Sequence, residues 1–138
     1  RKKPRLRGGY YIHIAPGDSF LAAGFWNPNK EDLFRIRKEM EMDAEEFRTL
    51  LQDPVFTKAW GGLEGEEVKT APKGFSKEHP NIDLIKKKQY LFIKKLDDKA
   101  ILAANFQTEV IQHFNAIRPI FNYFSSVLTT DLNGVSIL

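Results

Sequence analysis

Lys69, Lys73 and His79 stand close together in Lys-Thr-Ala-Pro-Lys-Gly-Phe-Ser-Lys-Glu-His-Pro, the densest run of special residues in the chain. Two ammonium groups and an imidazole in one loop could hold an anion by charge-assisted hydrogen bonds. Pro72-Lys73-Gly74 reads as a tight turn, with proline second and glycine fourth. In His79-Pro80, proline suits a first helical position, so a short helix is expected to start there and turn its backbone N–H groups toward the same place. A small anionic ligand held by Lys69, Lys73, Gly74 and His79, beside Tyr11 and Trp26, is the leading expectation. An enzyme, hydrolase or transferase, is the alternative, with His79 as acid/base and Lys73 as electrostatic stabiliser. The plain alternative to both is a structural loop with solvated lysines, because Pro-x-Gly and His-Pro are common loop chemistry.

Other chemistry finds less support. The histidines at 13, 79 and 113 have no ligand-like spacing, and no metal is expected. Walker A, dinucleotide-glycine and Gly-x-Ser-x-Gly patterns are missing, and no cofactor is expected. Ser19 would be a nucleophile only if His13 or His79 reached it. The carboxylate pairs Asp43/Glu46 and Glu45/Glu46 are better explained by helix capping.

The elements that must position these residues are legible as patterns. Gly9 to Ile14 alternates, with Tyr10, Ile12 and Ile14 on one face and Tyr11 and His13 on the other. Ala15-Pro16-Gly17-Asp18 has type II turn order, and Ser19 to Trp26 resumes as a second strand, giving an antiparallel hairpin. Ala22, Ala23 and Gly24 leave room above it, for close helix packing or for a groove floored by Gly24 and walled by Tyr11, Phe25 or Trp26. Helices are expected from about Pro28 to Met42, from Ala44 to Leu51 with Asp43 and Glu46 as a capping box, and from Pro54 behind an Asp53 cap to Gly61-Gly62. Glu66 to Thr70 reads as a short strand and Tyr90 to Leu96 as a longer one. Asp97 caps a further helix. Val110, Phe114, Ile117, Phe121, Phe124 and Leu128 then form a sustained helical seam, which Pro119 should kink or split. The tail from Thr129 carries a turn at Asn133-Gly134 and is expected to dock on the domain. The expected fold is α+β: a small antiparallel sheet covered by helices, with a long C-terminal helix across one face.

Lys-x-x-Pro-Lys-Gly-Phe, His-Pro, then Leu-Ile and a lysine-ended helix together resemble the signature of domain-of-unknown-function family 2461. Gly9-Tyr10-Tyr11-Ile12-His13-Ile14 and the stretch Ser19 to Pro28 agree with it. Members are usually longer, with upstream helices and a basic motif of the type Arg-Phe-x-x-Asp-Lys-x-Pro-Tyr-Lys that this chain lacks. The resemblance therefore implies the C-terminal portion of a longer family domain. It implies no reaction.

At 138 residues, 42 % hydrophobic and 12 % aromatic, residues 1–138 are expected to form one domain. The chain has no cysteine, which excludes a disulfide framework and a thiolate nucleophile. No apolar run reaches the roughly 18 residues of a membrane span. No membrane partner and a cytoplasmic location are expected, and the oligomeric state is left open. Charge is segregated. Arg1 to Arg7, read as a mobile basic arm, holds five Lys/Arg; the rest has sixteen Lys/Arg against eighteen Asp/Glu. Lys69 to Lys95 holds eight lysines, a face that nucleic acid could use, though a solvated surface is the simpler reading.

Overall fold

A computed structural model describes residues 8–137, so the basic arm expected at 1–7 lies outside the described residues. Three antiparallel strands form one sheet in the order β1 (Gly9–His13), β2 (Ser19–Phe25), β3 (Tyr90–Leu96). The hairpin turn follows its residues: Asp18 N–H donates to Ala15 O at 2.9 Å, with Gly17 at φ +74° in third place. Strand alternation then divides the side chains. Leu21, Ala23 and Phe25 of β2 and Tyr90 and Phe92 of β3 enter the core. Tyr11, Ala22 and Ile93 lie in register on the other face.

Six helices cover the core face and its ends: α1 (Lys30–Met42), α2 (Glu45–Gln52), α3 (Pro54–Trp60), α4 (Ile82–Ile85), α5 (Asp98–Leu102) and α6 (Phe106–Leu128). Helix α6 brings its expected seam to the sheet. Phe124 meets the rings of Phe25, Phe47, Tyr90 and Tyr123, and Phe121 stacks on Tyr10 with centroids 4.7 Å apart. The α+β architecture is as the residue pattern predicts. Asn29, Asp53 and Asp97 cap their helices by accepting the N–H groups of Asp32, Phe56 and Ala100.

Several local expectations need correction. Glu66 to Thr70 is not a strand: this part of the chain pairs only through the isolated bridges Glu64–Leu91 and Glu67–Lys87, and between the two Gly65 breaks the extended run at φ +117°. The capping box at Asp43 is displaced. Asp43 closes α1, and its carboxylate accepts from Glu45 N–H at 2.9 Å, while Ala44 holds the N-cap position of α2. Pro119 does not split the C-terminal helix; α6 runs unbroken for 23 residues. The proline lies on the exposed side, while Ile117, Ile120 and Phe124 anchor both halves in the core. Gly24 serves neither helix packing nor a groove floor. At φ +139°, its missing Cβ is what lets β3 approach, since an added one would collide with the Tyr90 carbonyl.

Candidate functional site

The loop from Lys69 to Lys88 is built as architecture along much of its length. The first tight turn is shifted by one residue from its expected frame: Phe75 N–H donates to Pro72 O at 3.1 Å, and Gly74 sits third at φ +90°. Phe75 packs against the core and edges the Phe34 ring, with the Lys38 ammonium 5.5 Å above it. Helix α4 begins at Ile82 rather than Pro80 and has only four residues. Its first donors are already used. Asn81 N–H donates to His79 Nδ1 at 3.0 Å, Ile82 N–H donates to His79 O, Leu84 and Ile85 N–H donate to Asn81 O, and the Asp83 carboxylate lies in the first turn. Arg48 grips that carboxylate with contacts of 2.7 and 3.1 Å, and its hydrogen bond is the main reason the Asp83 carboxyl is held below its ordinary range. The anion at this helix start is thus a side chain of the protein itself.

Further bonds tie the loop to α1. Asn81 Nδ2 donates to Met40 O at 2.9 Å, and Arg37 donates to Ile85 O and Lys87 O. Lys87 and Lys86 pair with Glu67 at 3.3 and 3.6 Å. Lys69 and Lys73 are exposed and have no ion pair among the described residues. His79 is half-buried; because its Nδ1 accepts a backbone N–H, the proton of the neutral ring is on Nε2. Ser19 is committed to the hairpin turn, its hydroxyl donating to Ala15 O at 2.9 Å and accepting from Ala15 N–H.

Of four clefts formed by the described residues, Lys69, Lys73, Gly74 and His79 line none. Tyr11 and Trp26 do come together, with Tyr10, around a shallow cleft of about 310 Å³. Phe25, also expected at a groove wall, is buried on the opposite face.

The largest of the four, about 450 Å³, opens between the end of β3, α5 and the first turns of α6. Leu21, Leu96, Phe106 and Val110 supply apolar walls, and Lys94, Glu109 and His113 supply polar groups. Lys94 pairs with Leu21 in the ladder, on the helix-facing side of the sheet, and is half-buried with no ion pair among the described residues. His113 Nδ1 lies 2.7 Å from Glu109 O. A carbonyl oxygen only accepts, so Nδ1 carries the proton and Nε2 of the neutral ring is a free acceptor. Asn105 Nδ2 donates to the Glu109 carboxylate at 3.3 Å. Lys94 carried a signal in the sequence, since period-two alternation puts it on the side of Tyr90 and Phe92. His113 carried none, because its neighbours come from another element.

Among the described residues, no group of three or more His, Cys, Asp or Glu side chains converges as a metal site, and no helix is long and apolar enough to cross a membrane. What the fold and its surface define is a small α+β domain with solvent-facing clefts between sheet and helices. The chain belongs to the family described as conserved hypothetical protein (DUF2461), whose model matches residues 1–123. That match takes in the basic run at the start and stops within α6. No curated protein and no solved structure matches the chain.

Proposed function

We propose that this protein is a binding module for a small, partly apolar anion, seated in the cleft between β3, α5 and α6 with its negative group on Lys94. One observation carries the reading: Lys94 is a lysine on the core side of the sheet, at the wall of a cleft of about 450 Å³, with no acidic partner among the described residues. Its stem lies along apolar surface while its head is available to a ligand. The free Nε2 of His113 and the Glu109 carboxylate favour a ligand that also carries a hydroxyl or amide donor. A cytoplasmic setting belongs to the same proposal, in keeping with a chain that has no cysteine to pair.

A thermal-shift and calorimetric screen of carboxylates and phosphate esters against wild type, Lys94→Met and Lys73→Ala tests it. A ligand at 100 times its dissociation constant adds about 2.7 kcal/mol of stability. Wild type and Lys73→Ala should both shift, and Lys94→Met should not. The opposite pattern would move the site to the Lys69–Lys73–His79 loop. Turnover lost in His79→Gln would establish the enzyme. Oligonucleotide binding that falls steeply with salt would establish the lysine face as a nucleic-acid surface.

A further inference from the structure

A second cleft, of about 290 Å³, lies where α1, the start of α2, the end of α6 and the C-terminal tail meet. Its lining sets Glu39 and Glu46 against Arg35, whereas the Lys94 cleft balances Lys94 and Lys95 with Asp97 and Glu109. Tyr123 forms part of its wall, is only 6 % exposed, and has a buried hydroxyl with no hydrogen-bond partner among the described residues. Such a group costs stability unless something meets it. Glu39 and Glu46 line the same cleft. Two helix C-termini also end beside it, and neither α1 nor α6 has a basic residue in its last turn. The partial negative charge of both ends is therefore directed at this region with no lysine of their own to answer it.

Among the described residues Arg35 is the only cation lining the cleft, and its donors are committed. It donates to Glu39 Oε1 at 2.8 Å, to Thr130 O and Thr130 Oγ1 at 3.0 and 3.2 Å, and to Asp131 O at 2.8 Å. Glu46 has no ion pair among the described residues. Burial, and then the carboxylates of Glu39 and Glu46, push the Tyr123 phenol well above its ordinary range. It is a neutral hydroxyl at physiological pH, able to accept or donate.

We infer that this cleft binds a small primary ammonium ion, whose N–H groups are shared among the Tyr123 hydroxyl, the Glu46 carboxylate and the uncommitted oxygen of Glu39. The ion brings three donors and one positive charge, and the cleft offers acceptors, surplus negative charge and no uncommitted cation. Met42, Val127 and Leu132 leave room for a short alkyl chain beside the ammonium. An anion is disfavoured by the two carboxylates, and a quaternary ammonium would leave the Tyr123 hydroxyl unmet. The site is independent of the Lys94 cleft and of whatever binds there.

The test is calorimetric titration of the full chain with n-butylammonium, tetramethylammonium and n-butanol at neutral pH, on wild type, Tyr123→Phe and Glu46→Gln. Wild type should bind n-butylammonium saturably and the two controls at least tenfold more weakly, about the effect of losing a charge-assisted hydrogen bond. Each variant should lose about tenfold in affinity for the amine. Tyr123→Phe without ligand should unfold at a slightly higher denaturant concentration than wild type, because it removes an unmet buried hydroxyl. No saturable amine binding, or equal affinity in wild type and both variants, overturns the proposal. A Tyr123→Phe variant that is less stable while amines fail to bind would mean that the hydroxyl serves ordered water, which also overturns it.

Discussion

Of the loop side chains singled out as ligand-binding groups, His79 is engaged with the protein's own backbone, while Lys69 and Lys73 stay exposed. His79 receives an N–H from its neighbour two residues on, Asn81 reaches across to the C-terminal end of α1, and Asp83 occupies the helix start that an external anion would have taken. The Asp83 carboxyl titrates below its ordinary value near 3.9, chiefly through Arg48. A lowered folded value means that its contribution is present above the unfolded value and lost as pH falls through the folded one. Asp83→Asn should therefore cost about 0.5–1 kcal/mol at neutral pH, the range of a surface pair, and almost nothing in strong acid. Urea unfolding of both proteins across the acid range would show the two stabilities converging as pH drops. A difference that persists undiminished in acid would mean that Arg48 is held by Asn81 alone, which it contacts at 3.1 Å.

At the scale of elements, capping and periodicity predicted more than turn frames did. Asp53-Pro54 and Asp97 start helices as their chemistry requires, and the α6 seam packs on the core, with Val110, Ile117, Phe124 and Leu128 buried and Phe114 and Phe121 partly so. Both errors of continuity have a physical cause. The chain around the strand expected at Glu66 to Thr70 pairs only through isolated bridges on either side of Gly65, which has positive φ, and core burial on both sides of Pro119 held together a helix that local rules would break. Pro119 still removes one backbone donor from an exposed turn. Pro119→Ala should stabilise the protein by about 1–2 kcal/mol, the restored helix hydrogen bond outweighing the entropy that proline takes from the unfolded chain. Chemical denaturation would read this directly, and a loss of stability would show that the proline shapes the packing of α6.

For the whole molecule, Phe124 is the point where the layers join. Its ring meets rings of β2, β3, α2 and its own helix, and it is fully buried. Phe124→Ala should cost about 3–5 kcal/mol, a large share of the 5–15 kcal/mol that holds a domain of this size together. The expected result is a lower melting temperature with one transition. Separate unfolding of the sheet and the helices would show that the core is not a single cooperative unit. Residue 124 is also the first beyond the family match, so this keystone lies just outside the matched span.

The α+β class, the hairpin with its turn, the capped helices, the buried seam and the family were all legible in the order of residues. Each rests on interactions within a few positions or on a period that a single element displays. The candidate sites were not legible in this way. Whether a lysine meets an acid, whether a helix N-terminus is free, and whether a tyrosine hydroxyl has a partner depend on groups distant in sequence: Lys94 with Glu109, Arg48 with Asp83, Tyr123 with Glu39 and Glu46. Local rules determine which atoms are available to form elements. Only packing decides which polar atoms are already satisfied, and the unsatisfied ones at Lys94 and Tyr123 are where a ligand has something to gain.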